Sequence, residues 1–135
     1  SFHDAELAGW TTRAASYDQL FAPITSQVIT PMLGVLGSLQ GMNVLDVCCG
    51  PGHLAAALAG KGAVVEGIDF AATMVAKARE NYPAVRFREA DAEALPYENG
   101  AFDRVVCAFG IMHFGRPDVA IAEAFRVLRP EGRYL

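Results

Sequence analysis

The chain has 135 residues, 53% of them hydrophobic, enough for one domain with its own core and too few for two. Its 11 basic and 15 acidic residues leave a net charge of -4 with no Lys/Arg stripe to follow a phosphate backbone, so no nucleic-acid partner is expected. No run reaches the roughly 18 apolar residues that span a bilayer, no basic-then-apolar leader opens the chain, and Cys48, Cys49 and Cys107 lack zinc spacing; the expectation is a cytoplasmic protein with reduced thiols and neither membrane partner nor metal.

Apolar positions Ile24, Val28, Ile29, Met32, Val35, Leu36 and Leu39 recur at helical spacing before Gly41, with Pro31 expected to kink or restart the helix. Residues 1–40 are read as an N-terminal helical cap and residues 41–135 as one α/β unit. Short apolar runs at Val44–Val47, Val64–Ile68, Val85–Glu89 and Arg104–Phe109 read as strands. Helical segments separate them: 53–60, closed by Gly60 and Gly62; 71–81, stopped by Asn81 and Pro83; and 117–128, opened by Pro117 and ended before Pro130. This alternation predicts an α/β fold, a Rossmann-like doubly wound parallel sheet covered on both faces. The cleaner alternation of Val85-Arg86-Phe87-Arg88 marks a more exposed strand. At the end of the chain only Arg133-Tyr134-Leu135 is read as the start of a fifth strand. The 104–109 strand is therefore expected to carry a bare edge through which the chain could self-associate.

Between the first strand and the first helix of the α/β unit lies Val44-Leu45-Asp46-Val47-Cys48-Cys49-Gly50-Pro51-Gly52. Gly50 and Gly52 have no Cβ, which permits a tight turn and lets a ligand approach the main chain. Asp46 selects among ligands, because a carboxylate at the strand's carboxyl end repels a pyrophosphate and attracts a sulfonium or an ammonium group. S-adenosylmethionine carries both cations. Acids also follow the next two strands: Asp69, 19 residues past Gly50, is placed to accept both hydroxyls of a ribose, and Asp91 with the Ala92 N–H presents the edge pattern that reads adenine. Each acid alone also reads as a helix cap or a loop acid.

Taken in order, the glycine loop, Val65-Glu66-Gly67-Ile68-Asp69, the segment from Ala90 to Tyr97, the segment from Gly100 to Val105 and the segment from Arg126 to Gly132 resemble the Rossmann-type S-adenosylmethionine-dependent methyltransferases, in particular the small-molecule group similar to the ubiquinone and menaquinone enzymes. The resemblance covers residues 10 to 135. It implies methyl transfer to a small-molecule acceptor. It also implies that Asp46, Cys48, Gly50 and Gly52 hold the methionine and ribose portion, Asp69 the ribose, Asp91 and Ala92 the adenine, with Phe70, Met74, Ala108 and Phe109 completing the wall. Cys48 stands where the family usually has the first glycine of its loop, and a negative φ is expected there. The chain also ends before the last strands that normally help enclose the substrate.

His113, after the fourth strand, is either a base that takes a proton from the acceptor or a loop histidine held by packing. Trp10, Tyr17 and Phe21 form either an N-terminal lid, with the Tyr17 hydroxyl on the methionine carboxylate, or a core staple. His53, opening the helix directly after the loop, either touches the cofactor by its edge or, as the favoured expectation, is a surface residue of that helix's first turn. Two other functions share the pattern: a catalytically silent cofactor-binding or scaffold relative, and an NAD-dependent oxidoreductase, which would need the absent G-x-G-x-x-G.

Overall fold

A computed structural model describes residues 1–135. The N-terminal layer is α1 (Phe2–Leu20), the short α2 (Ala22–Thr25), a 3-10 turn over Ser26–Val28, and α3 (Ile29–Leu36). Pro31 is the third residue of α3, in the first turn, where its missing N–H would have had no partner. The α/β unit then runs β1 (Asn43–Val47), α4 (His53–Gly60), β2 (Val64–Asp69), α5 (Ala72–Asn81), β3 (Arg86–Glu89), β4 (Phe102–Val106), α6 (Pro117–Val127) and β5 (Leu128–Tyr134). All pairings are parallel, in the order β3-β2-β1-β4-β5.

Successive residues of β1 point to opposite faces, so Val44 and Leu45 belong to two different cores. On one face Val44 packs with Leu36, Leu54, Leu58, Val75 and Phe87, joining α3, α4 and α5. On the other Leu45 packs with Ile68, Phe102, Val105 and Val127 beneath α6. Each such fully buried side chain contributes about 1.5–3 kcal/mol by leaving water. A third, smaller cluster of Ala14, Ala71 and Met74 seats α1 on α5; small residues at this seam bring the two helices close. The outer strand β3 buries only Phe87, as its alternation predicts.

Two expectations are corrected. The fourth strand is shorter and earlier than Arg104–Phe109, because Phe109 sits in a loop with φ 61°. Nor is its edge bare. β5 pairs along β4, with Leu128 opposite Phe102, Arg133 opposite Arg104 and Tyr134 opposite Val105. The ladder continues past the strand's end, where the Leu135 N–H donates to Val105 O (3.0 Å) and the Cys107 N–H to Leu135 O (2.9 Å). Pro130-Glu131-Gly132 reads as a strand-terminating turn, but the chain absorbs it as a bulge with Glu131 at φ 67°. The self-association expected through the β4 edge thus loses its basis.

Gly132 is what lets the bulge close. A Cβ there would lie 2.8 Å from both the Arg129 carbonyl oxygen and the Leu128 side chain. Gly132→Ala should lower stability by about 1–3 kcal/mol through this overpacking. Urea unfolding followed by circular dichroism measures it, with an unchanged midpoint contradicting the bulge geometry.

Candidate functional site

The chain leaves β1 for β2 on one side and later returns to β4 on the other, so the loops after β1 and β4 diverge. Ligands of open α/β sheets bind in the crevice that results. The loop after β1 makes its turn with positive φ at Cys48 (59°), Gly50 (51°) and Gly52 (91°). Cys48 was expected at negative φ; it instead adopts the left-handed conformation a glycine would take easily. The neighbouring chain gives it room, since a Cβ on Gly110 would lie 2.8 Å from the Cys48 sulfur and 2.6 Å from that of Cys107. All three cysteines are free.

Asp69, at the end of β2, is the buried tie between this loop and the neighbouring helix. Its Oδ2 accepts the Gly50 N–H and its Oδ1 the Ala71 N–H, each at 3.0 Å. It therefore does cap the approach to α5, and it holds the glycine loop as well. Burial pushes its carboxyl above the usual range while these N–H donors pull it back. Asp46 is more extreme: it is 1% exposed, and its Oδ2 has no hydrogen-bond donor. Burial, with the charges of Cys107 and Asp69 nearby, raises it well above an ordinary carboxylate, and the Ala55 N–H opposes this. Asp91 accepts the Glu93 N–H at 2.8 Å, beside the buried Ala92.

A central cavity of about 270 Å³ is lined by Tyr17, Cys48, Gly50, Asp69, Phe70, Met74, Ala108, Phe109 and His113. Two smaller cavities adjoin it, and Cys48 lines all three. One, of about 60 Å³, reaches Asp46. The other, of about 20 Å³, reaches Asp91 and Ala92. Gly52 lines none of them. Its bare Cα is required by packing, because a Cβ would meet the Phe87 ring at 2.7 Å.

Helix α1 crosses the mouth of this cleft and is fastened near both ends by a histidine–carboxylate pair. Glu6 Oε2 lies 2.6 Å from His113 Nδ1, and Asp18 Oδ1 lies 2.6 Å from His53 Nε2. His53, expected at the surface, is thus half-buried: it donates to Asp18 through Nε2–H and accepts the Tyr82 hydroxyl at Nδ1, also at 2.6 Å. Burial works against ionised Asp18, but the hydrogen bonds from His53 and Asn81 and the nearby charges of His53 and Lys77 hold its carboxyl below the usual range. The Tyr17 hydroxyl pairs with Thr25 at 3.2 Å, and Trp10 meets both Tyr17 and His113 edge-on. Glu6 and Met112 were missed by sequence reasoning. Glu6, Trp10 and Tyr17 fall at i, i+4 and i+11, one face of a helix, and that spacing could have revealed Glu6.

Residues 44–132 match the family described as the methyltransferase domain, which is well over half of the chain. The chain belongs to that family. Over 97 residues it is 48% identical to the demethylmenaquinone methyltransferase of Thermus thermophilus, a match covering 67% of this chain and 44% of that protein. The YcgJ protein of Bacillus subtilis superposes with a TM-score of 0.78 at 29% identity, over 81% of this chain and 49% of that one. The same fold recurs in a phosphoethanolamine N-methyltransferase of Haemonchus contortus, solved with phosphoethanolamine and S-adenosylhomocysteine. There the TM-score is 0.83 at 21% identity, over 95% of this chain and 30% of that one. The chain spans less than half the length of these three relatives. For this methyltransferase-family chain the Rossmann-like sheet expected from the sequence is present. No single helix is long and apolar enough to cross a membrane.

The orphaned Asp46 has a measurable consequence in this domain. Its folded pKa lies above the unfolded value of 3.8, so the folded state keeps a proton that the unfolded chain has already lost, and stability increases as pH falls through that window. Asp46→Asn should accordingly raise the melting temperature of the ligand-free protein. The gap from the parent should be widest near neutral pH and close on acidification. Thermal melts across pH test this, and a lower melting temperature at neutral pH would mean that the carboxylate is stabilising.

Proposed function

We propose that this chain binds S-adenosylmethionine in the cleft between the β1 and β4 loops and transfers its methyl group to a small-molecule acceptor. The single observation that carries the reading is Asp46. A nearly inaccessible carboxylate with an unpartnered oxygen is costly to hold beside a cavity, and a cationic ligand group there would offset the cost. The family match supports the same conclusion from an independent direction.

When bound, the cofactor supplies an electrophilic methyl group on a positively charged sulfur. The chain's own residues divide the remaining work. Asp46 faces the cationic methionine end, with the bare backbone of Gly50 allowing close approach and Tyr17, Cys48, Ala108 and Phe109 enclosing it. Asp69 spends one lone pair per oxygen on Gly50 and Ala71, and the lone pairs left over accept from ribose hydroxyls. Asp91 and the Ala92 N–H read the adenine edge, and Phe70 and Met74 flank it. Gly52 acts by packing. The adenine slot is narrow, with room for about one water, and His3 lies edge-on to Phe70 at 5.5 Å above it. Entry of the cofactor therefore requires the first turns of α1 to open and then to close again over the cleft, so the N-terminal layer acts as a lid.

The acceptor enters the central cavity, whose wall of Trp10, Phe70, Met74, Phe109 and Met112 suits an apolar ring. The Thermus relative is named for a quinone-type acceptor, and that class is the one we assign here. His113, on the same wall, takes the acceptor's proton. Alignment of two reactants in a dry cavity can lower a barrier by roughly 7–11 kcal/mol, so no metal or covalent nucleophile is needed. Free, reduced thiols suit a cytoplasmic setting.

Calorimetry with S-adenosylhomocysteine tests the reading. The parent should bind, and Asp69→Ala should weaken binding by about 1.5–3 kcal/mol, roughly 10- to 150-fold. Because Asp69 also ties the loop, the variant must first be shown to be folded by circular dichroism. A folded parent that binds no adenosyl ligand overturns the proposal.

A further inference from the structure

We infer that Glu6 of α1 is a positioning residue that fixes His113 as a base with its free nitrogen on the acceptor side, and that the acceptor is therefore a group that must lose a proton to react, such as an acidic O–H or an activated C–H. The inference rests on the methyltransferase reading above and deepens it. Glu6 Oε2 lies 2.6 Å from His113 Nδ1, and a carboxylate can only accept. Nδ1 must then carry the hydrogen, and in the neutral ring Nε2 is left as an acceptor. No protein group hydrogen-bonds to Nε2, while the ring lines the 270 Å³ cavity.

The rest of the surroundings reinforce the arrangement. The Trp10 Nε1–H donates to the same Glu6 oxygen at 3.3 Å, and the Trp10 ring meets His113 edge-on at 5.0 Å between centroids, so both partners are held from a single helix turn of α1. The carboxylate is part-buried, with 26% of its side chain exposed, and the imidazole is 28% exposed, which strengthens their mutual attraction relative to open water. Other charges face the ring as well. Asp69 lines the central cavity together with the ring, and His3, Asp91 and Glu93 share the narrow slot that His113 also borders.

The chemistry that follows is a proton transfer. The acceptor's X–H bond breaks, its electron pair stays on X as the nucleophile, and the proton passes to Nε2. Glu6 remains ionised and stabilises the imidazolium, so no oxidant or further base is needed. An ammonium-type acceptor would gain nothing from this pair once deprotonated in solution, whereas a ring hydroxyl would, because losing its proton leaves an anion that can attack through oxygen or, by delocalisation, through the adjacent ring carbon. Because the carboxylate comes from the lid, the base is fully assembled only when α1 lies across the cleft. Closure and activation are then one event.

The experiment uses the full chain labelled with 15N at histidine, and follows the His113 ring by long-range 1H–15N correlation against pH. In the parent, neutral His113 should carry its hydrogen on Nδ1. Glu6→Ala should shift the ring toward the Nε2–H form, while Glu6→Gln, whose amide oxygen can still accept from Nδ1–H, should keep the parental tautomer without the charge. Glu6→Asp should restore part of the parental behaviour. A second arm measures methyl transfer to demethylmenaquinol as a probe acceptor. With Glu6→Gln, kcat should fall by about 100-fold, within the range of a general base, with S-adenosylhomocysteine affinity kept within twofold. If the adenosyl ligand binds but the His113 tautomer is the same in Glu6→Ala as in the parent, the Glu6 inference is wrong. If no adenosyl ligand binds to a folded parent, the failure belongs to the methyltransferase reading instead.

Discussion

The arrangement of this domain depends on the Asp69 carboxylate. It sits at the end of β2, almost wholly buried, and its two oxygens take the N–H of Gly50 and the N–H of Ala71 at 3.0 Å each. One hydrogen bond fixes the glycine loop after β1; the other fixes the start of α5. Hydrogen bonds to a charged acceptor are worth about 1.5–3 kcal/mol apiece, and leaving either N–H without a partner would cost a similar amount. The same carboxylate also lines the central cavity. In the proposed function the same side chain would carry both a structural and a ligand-binding role, as expected where a binding loop must be rigid before the ligand arrives.

The N-terminal helix adds a second layer of control. Its seat joins the buried Ala14, Ala71 and Met74 to the partly buried Leu7, Trp10, Tyr17 and Phe70. Polar fastenings add to it near both ends, Glu6 with His113 and Asp18 with His53, Asn81 and Lys77. Partly exposed pairs of this kind are individually weak. A helix whose polar ties are weak can open and close again, as the proposed entry of a cofactor requires.

The Rossmann-like sheet was legible because each strand of the inner sheet is a β-branched run bounded by glycine, proline or an acid, and α4, α5 and α6 begin and end within a residue or so of the expected places. The cleft was legible for the same reason: Asp46, Gly50, Asp69 and Asp91 each end or follow a strand, and parallel strands bring such ends together. Other features hid. β5 was obscured by Pro130 and Gly132, whose local preference for a turn was overridden by pairing with β4 through a bulge. The length of α1 was not evident because its apolar residues do not form one continuous stripe. His53 reads as a first-turn surface residue, and only the return of α1 over α4 buries it between Asp18 and Tyr82. Gly52 belongs to the recognisable loop, yet its lack of a Cβ is explained by the Phe87 ring. Local sequence reports the chain's turns faithfully; it does not report which distant side chain will occupy the space a turn creates.

The most direct measurement is the map of backbone amide shifts when S-adenosylhomocysteine is added to the 15N-labelled chain. If the cleft between β1 and β4 is the cofactor site, the largest changes fall on Gly50, Asp69, Phe70, Ala92 and Phe109, with smaller ones along α1 as the lid adjusts. Saturable changes confined to another surface, leaving those five amides still, would contradict the account.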